Sequence, residues 1–195
     1  MPKQITIKEI LDNNTPLEKR FIKDLSQLEI IVKLLKESNY RIVLTQGVWD
    51  LLHIGHAAYL EKAKSYGDIL IVGVESDALT KKRKGPSRPV VPEKERVGIV
   101  SHLRSVDILV MQNNLNDLDA LRKVIKPDVY IMSKTTKDLN KSRIEQIKKY
   151  CKEVIALEPQ ATTSTTARVR TLMIEGAQKL TDEIKKLTDD FINRI

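Results

Sequence analysis

The sequence predicts an α/β fold, a doubly wound parallel sheet of five strands with helices on both faces. Three observations predict it. From Arg41 onward, short apolar runs alternate with segments of helical periodicity. The run Ile69-Leu70-Ile71-Val72-Gly73-Val74 is continuously apolar, as a parallel strand covered on both faces must be. Helix boundaries are punctuated by Gly67, Pro92 and Gly176.

In chain order, residues 1–39 read as a helical N-terminal extension. Thr15-Pro16-Leu17-Glu18 has the form of a capping box with proline at the first helical position. Leu17, Phe21, Leu25, Leu28, Ile31 and Leu35 then recur as one apolar stripe, which has to cover the sheet or another subunit. Ile42-Val43-Leu44 is the first strand, followed by a helix from His56 to Tyr66 that Gly67 closes. After the second strand (69–74), a helix starts at Pro92, with Glu93 and Glu95 in its first turn, and ends near Arg104. Val106 to Val110 is a strand, Leu115 to Ile125 a helix, and Asp128 to Met132 a strand. Asn140 to Lys152 is a helix, Val154 to Leu157 the fifth strand, and Thr165 to Glu175 a helix ended by Gly176. Residues 40–176 thus form one Rossmann-like domain, and residues 177–195 a C-terminal helical tail.

Composition narrows the partners. A chain of 195 residues holds one well-cored domain with appendages. Aromatics make up only 4%, so the core is built from Ile, Leu, Val and Ala. No apolar run approaches the ~20 residues of a membrane span. The first residues lack the apolar stretch of a secretory signal. Cys151 is the sole cysteine, which excludes an intramolecular disulfide and a cysteine-based metal site. A cytoplasmic location with no membrane partner is expected. The formal net charge of +8 favours anionic partners. The scarcity of stacking aromatics speaks for small phosphorylated molecules over nucleic acid.

The chemistry is concentrated after the first strand, where ligands of open α/β sheets bind. There the chain reads Thr45-Gln46-Gly47-Val48-Trp49-Asp50-Leu51-Leu52-His53-Ile54-Gly55-His56, holding two of its three histidines. Gly47 allows close backbone approach to a ligand. His53 and His56, three apart at a helix N-terminus, can turn both rings to one side, where free N–H groups and the helix dipole favour an anion. Gly55 leaves room for a nucleotide against the helix end. His102, alone on its helix, and Cys151 read as surface or packing residues.

The run Gly47 to His56 resembles the HxGH signature of the cytidylyltransferase-like nucleotidyltransferase superfamily. Val74-Glu75-Ser76-Asp77, Lys84-Gly85-Pro86-Ser87-Arg88-Pro89-Val90, Glu95-Arg96, Leu103 to Asp107 and Thr163-Ser164-Thr165-Thr166 follow in matching order. The similarity covers about residues 41–176. The segment from Lys84 to Val90 most resembles the adenylyltransferase domain of ADP-heptose synthases. Glycerol-3-phosphate cytidylyltransferases and archaeal FAD synthetases are similar too.

The resemblance implies transfer of a nucleoside monophosphate from an NTP, ATP favoured, to a phosphorylated sugar or polyol such as heptose-1-phosphate, with release of pyrophosphate. It implies His53, His56 and Lys84 as catalytic groups. Gly47, Val48, Trp49, Gly55, Ser164, Thr165 and Thr166 would bind the nucleotide. Arg88 and Arg96 would hold the acceptor phosphate, with Asp50 orienting the loop on the acceptor side rather than acting as a base. Lys84 and Arg88 are expected on a mobile loop. Mg²⁺ is expected with the NTP, no protein metal site is assigned, and a homodimer is a possible assembly.

Two departures leave the base open. Met132-Ser133-Lys134-Thr135-Thr136-Lys137-Asp138 stands where many relatives have a Gly-Gly-Asp type turn. Glu158-Pro159-Gln160-Ala161-Thr162 lacks the arginine of glycerol-3-phosphate cytidylyltransferases. CTP with glycerol-3-phosphate, or ATP with FMN, are the alternative pairs. A fragment of a class I aminoacyl-tRNA synthetase and a non-catalytic nucleotide- or nucleic-acid-binding module are the rival classes.

Overall fold

The computed structural model describes residues 6–12, 15–136, 140–161 and 165–192. It divides into two units, residues 1–161 and 162–195.

In the first unit the sheet has six parallel strands. These are β1 (Phe21–Ile22), β2 (Ile42–Gly47), β3 (Ile69–Glu75), β4 (Ile108–Gln112), β5 (Val129–Ser133) and β6 (Glu153–Leu157), in the order β1-β4-β3-β2-β5-β6. The chain reverses direction across the sheet at β2, whose neighbours are β3 and β5. This is the switch point, the place in open α/β sheets where ligands bind beyond the strand ends.

Alternation along the strands builds a core on each face. Ile42, Leu44, Ile69, Ile71, Ile108, Val110 and Tyr130 point to one side. They meet Leu28, Ile31 and Leu35 of α3 (Leu25–Glu37), Leu121 and Ile125 of α7 (Ala120–Ile125), and Ile147 of α8 (Lys141–Lys148). Val43, Leu70, Val72, Val74, Leu109, Val129 and Ile131 point to the other. They meet Leu60 and Ala63 of α4 (Ile54–Lys64), Val97 and Val100 of α6 (Glu93–Ser101), and Trp49.

Three expectations are corrected. The N-terminal segment is not one helical stripe. After the short helices α1 (Ile7–Leu11) and α2 (Leu17–Arg20), the chain enters strand β1, which pairs with β4. A two-residue strand has no room for a periodic signal, and its pairing is set by the neighbouring strand. The Thr15–Glu18 capping box does not form: Pro16 is the N-cap of α2, with no side-chain cap. A capping box occurs instead at Thr6 and Glu9 on α1.

Second, Lys84 does not lie on a loop but is the last residue of α5 (Asp77–Lys84), a helix the apolar pattern did not reveal. Ser76 caps its start, accepting from Leu79 N–H, and Gly85 at φ 97° stops it, a backbone conformation that a side chain resists.

Third, in the second unit Gly176 does not end a helix, because α9 runs unbroken from Thr165 to Ile192. Glycine inside a helix costs only about 1 kcal/mol relative to alanine. The residues on both sides of Gly176 form helix well enough to outweigh that. No helix among the described residues is long and apolar enough to cross a membrane.

Candidate active site

Strand β2 ends at Gly47, and the next six residues, 48–53, turn the chain into α4. Trp49 and Leu51 both adopt left-handed backbone, at φ 56° and 46°, which side chains other than glycine adopt at a cost. The reversal drives the Trp49 indole down beside the strands, where its Nε1–H donates to Gly73 O at 3.0 Å. A side chain at position 47 would meet that indole at 3.0 Å, so Trp49 itself fills the space over Gly47 that the sequence reading had left for a ligand.

His53 is the N-cap of α4, and the two histidines cap the helix reciprocally. The His53 Nδ1 accepts from Gly55 N–H at 3.1 Å, and the His56 Nδ1 accepts from His53 N–H at 3.3 Å. The rings lie 4.1 Å apart between centroids, tilted by 38°. Both Nδ1 atoms act as acceptors, so in each neutral imidazole the proton sits on Nε2. The start of α4 therefore carries two imidazole Nε2–H donors. The edge of Trp49 packs against His56, with centroids 5.7 Å apart.

Burial, then the neighbouring His53 and Lys84, push the His56 pKa down from 6.5 to about 4, against the pull of Asp50. His56 is thus neutral near pH 7. Unfolded chains protonate this residue below about pH 6.5, whereas the folded protein refuses the proton until about pH 4. The stability tied to His56 is complete above pH 6.5 and is lost as pH falls toward 4, by roughly 3 kcal/mol at the limit. Urea unfolding at pH 7.5 and pH 4.5 checks this. The wild-type midpoint should drop further than that of His56→Gln, and equal drops would refute the assignment.

Gly55 is required by the ring beside it. A Cβ there would lie 2.9 Å from His53 Cε1, 3.0 Å from its Nδ1 and 3.0 Å from the Ala161 Cβ. Gly55→Ala is thus expected to keep or improve helix propensity while displacing the His53 ring. Catalytic efficiency should fall by up to ~10²-fold through misplacement, and the melting temperature should drop by a few degrees as the His53 cap of α4 is lost, about 1 kcal/mol. Kinetics and thermal unfolding on the same variant separate the two effects.

Asp50, buried under the segment after α5, organises it. Its carboxylate accepts from Val90 N–H at 3.0 Å and Val91 N–H at 2.9 Å, and pairs with the Arg88 guanidinium at 3.0 Å. Arg88 is thereby held at the rim. Lys84 lies close enough to feel Glu75, Asp50, Arg83 and Arg88. Desolvation and the two guanidinium groups pull its ammonium below the usual lysine range, against the pull of the two carboxylates.

Arg96 differs from its expected place. Its side chain is fully buried on α6, and all three guanidinium nitrogens are spent within the protein. Nε donates to Val91 O at 2.8 Å, one terminal nitrogen to Val48 O, and the other to Asp77 Oδ1 at 2.7 Å. This geometry makes it a bracket joining the β2 turn, the start of α5 and the loop before α6, not a group facing an acceptor. Nothing in the motif spacing distinguished the two roles.

Ser164 lies outside the described residues, and Thr165 and Thr166 are the first two residues of α9. The sequence reading also gave Glu75 and Asp77 no role. Glu75 ends β3 and Asp77 opens α5, and their place just after that strand is the available signal.

Six parallel strands, a switch point at β2 and an imidazole pair on the following helix define a nucleotidyltransferase-type domain. The chain belongs to the cytidylyltransferase-like family, whose model matches residues 44–177. It is 40% identical over 130 residues to the bifunctional protein HldE of Nitratiruptor sp., covering 65% of this chain and 28% of that protein. It is 40% identical over 140 residues to HldE of Helicobacter pylori strain G27, covering 72% and 29%. The chain thus spans less than a third of the length of these relatives. A solved lipopolysaccharide core biosynthesis protein from Thermoplasma volcanium superposes with a TM-score of 0.54 at 26% identity, covering 60% of this chain and 96% of that one. A pantoate-beta-alanine ligase from Francisella tularensis, at 17% identity and a TM-score of 0.52, shares the fold.

Proposed function

We propose that the protein transfers a nucleoside monophosphate from an NTP, ATP favoured, to a phosphorylated sugar or polyol such as heptose-1-phosphate, releasing pyrophosphate. The observation that carries this reading is the pair of Nε2–H donors at the mouth of α4, with their tautomers fixed by backbone N–H groups. An acceptor phosphate oxygen attacks the α-phosphorus, a new P–O bond forms, and the bond to the bridging oxygen of the β-phosphate breaks. The nucleophile is already ionised, so no general base is needed. Catalysis rests on alignment and on donors aimed at the oxygens that gain charge.

In this reading His53 and His56 donate to the phosphoryl oxygens. Lys84 and Arg88 bridge nucleotide and acceptor phosphate. Val48 and Trp49 contribute backbone. The donor set at the β2 end is imidazole and cation, and the Asp50 carboxylate is taken up by Arg88, Val90 and Val91 of the segment after α5. These groups suit phosphate oxygens, and Mg²⁺ would arrive on the triphosphate, lending it charge neutralisation.

ATP and a sugar phosphate are favoured by the resemblance of Lys84 to Val90 to ADP-heptose synthases and by the similarity to HldE. These water-soluble substrates fit a cytoplasmic location. Along α9, Met173, Leu180, Ile184 and Leu187 recur on one helical face and would serve a homodimer, which sedimentation at several concentrations tests.

The test of function is pyrophosphate release across ATP, CTP, GTP and UTP, each with heptose-1-phosphate, glycerol-3-phosphate and FMN. ATP with the sugar phosphate should give the highest turnover. Release with no pair, alongside binding of nucleic acid that weakens steeply with salt, would overturn the transferase reading.

A further inference from the structure

The second unit carries a surface that the proposed chemistry does not use. Along α9, Val169, Met173 and Gly176 are followed eleven residues on by Leu180, Ile184 and Leu187. An 11-residue repeat has a period of about 3.67, close to that of a straight α-helix. The six positions therefore stay in line along one side of the helix. Met173 and Leu187 are each 69% exposed, Leu180 59% and Ile184 55%. Large apolar side chains gathered on one exposed face mark an interaction surface.

The charge of α9 says what does not cover this face. Residues 165–192 hold five basic and five acidic residues, so the helix is neutral in a chain of net charge +8. Helices that lie on anionic lipid, and segments that bind nucleic acid, carry an excess of lysine and arginine. The composition of α9 has no such excess.

A second α9 matches it in size and in charge. Laid antiparallel, with Leu180 opposite Ile184 of the partner subunit, the helix places Gly176 opposite the partner subunit's Leu187. A missing side chain then faces a large one on either side of the centre. A Cβ added at Gly176 meets no atom within 4 Å among the described residues, so nothing there calls for a residue that weakens a helix. Lys179 falls opposite Glu183 of the partner subunit, on the same flank of the seam, and two-fold symmetry makes each contact twice. A parallel pair would set Gly176 against itself and leave a gap. It would also turn Lys179 and Glu183 toward the uncharged flank of Ala177, Thr181 and Thr188.

We propose that α9 pairs antiparallel with α9 of a second copy, Leu180 against Ile184 and Gly176 against Leu187, and that this pairing is the homodimer interface. The proposal rests on the homodimer reading and is independent of the transferase chemistry.

Sedimentation equilibrium compares the wild type with Leu180→Gln/Ile184→Gln, which keeps good helix formers and removes the central apolar layer. The wild type should be a dimer. The variant dimer should be at least ~10²-fold weaker, since each buried leucine or isoleucine is worth about tenfold or more in association. Cysteine pairing reads the register without relying on how that variant folds. In a Cys151→Ser background, Gly176→Cys and Leu187→Cys proteins are mixed and oxidised with copper–phenanthroline. The mixture should form an interchain disulfide that neither protein forms alone. Self-linking of either single-cysteine protein overturns the antiparallel register and leaves the homodimer standing. A dimer indifferent to Leu180→Gln/Ile184→Gln lies on another surface and overturns this inference alone. A monomeric wild type overturns the homodimer and the inference together, and its cosedimentation with phosphatidylglycerol vesicles would give the face to a membrane surface instead.

Discussion

Replacing His56 by alanine lowers turnover by ~10²–10³-fold, the cost of losing one donor to a developing oxyanion. The fold survives, because His56 is a partly exposed residue on a helix whose core contacts come from Leu60 and Ala63. The His53 variant behaves alike. The pH profile discriminates the mechanism further. A group acting as a protonated acid would lose activity as pH rises through its pKa. A neutral donor whose pKa is held at about 4 gives a rate that, as far as His56 is concerned, stays level from pH 5 to pH 8. His56→Gln, which restores an N–H donor without a titrating ring, should recover part of the loss. A near-wild-type rate in His56→Ala would remove the imidazole pair from the chemistry.

The parts of the fold that were legible are those whose signal is local and repeated. Five strands announce themselves by apolar runs, and each was anticipated within a few residues. The helix mouth was legible because His53, Gly55 and His56 are unusual neighbours, and their spacing alone turns both rings one way. What escaped notice depends on partners distant in sequence. Strand β1 exists because β4 offers it an edge. Helix α5 has the sequence Asp-Ala-Leu-Thr-Lys-Lys-Arg-Lys, too polar to show a stripe, and buries only Leu79 and Thr80. Its caps, Ser76 and Gly85, were the readable signs. A motif records residue type and not burial, so it reads Arg96 as a ligand-facing cation. Its three acceptors come from residues 48, 77 and 91, which no periodicity connects.

That difference makes Arg96 the site of the second large effect. Arg96→Ala is expected to destabilise the protein by about 2–4 kcal/mol, because a fully buried side chain is removed and the part-exposed Asp77 carboxylate and two backbone carbonyls lose a charged donor. The Asp77 carboxylate loses its partner, and the carbonyls of Val48 and Val91 lose their donors. A lysine does not restore them, because one ammonium cannot reproduce a planar fork reaching three separate acceptors. Urea unfolding of Arg96→Ala and Arg96→Lys should therefore show midpoints well below that of the wild type. An acceptor-binding arginine predicts the opposite pattern, with unfolding unchanged and only the acceptor KM raised. Activity should fall in both variants even where they are folded, because Val48 begins the turn that sets Trp49 against His56, and Val91 closes the loop that Asp50 holds around Arg88. The imidazole pair and the Arg88 loop come from segments distant in sequence, and the buried guanidinium keeps them in one register.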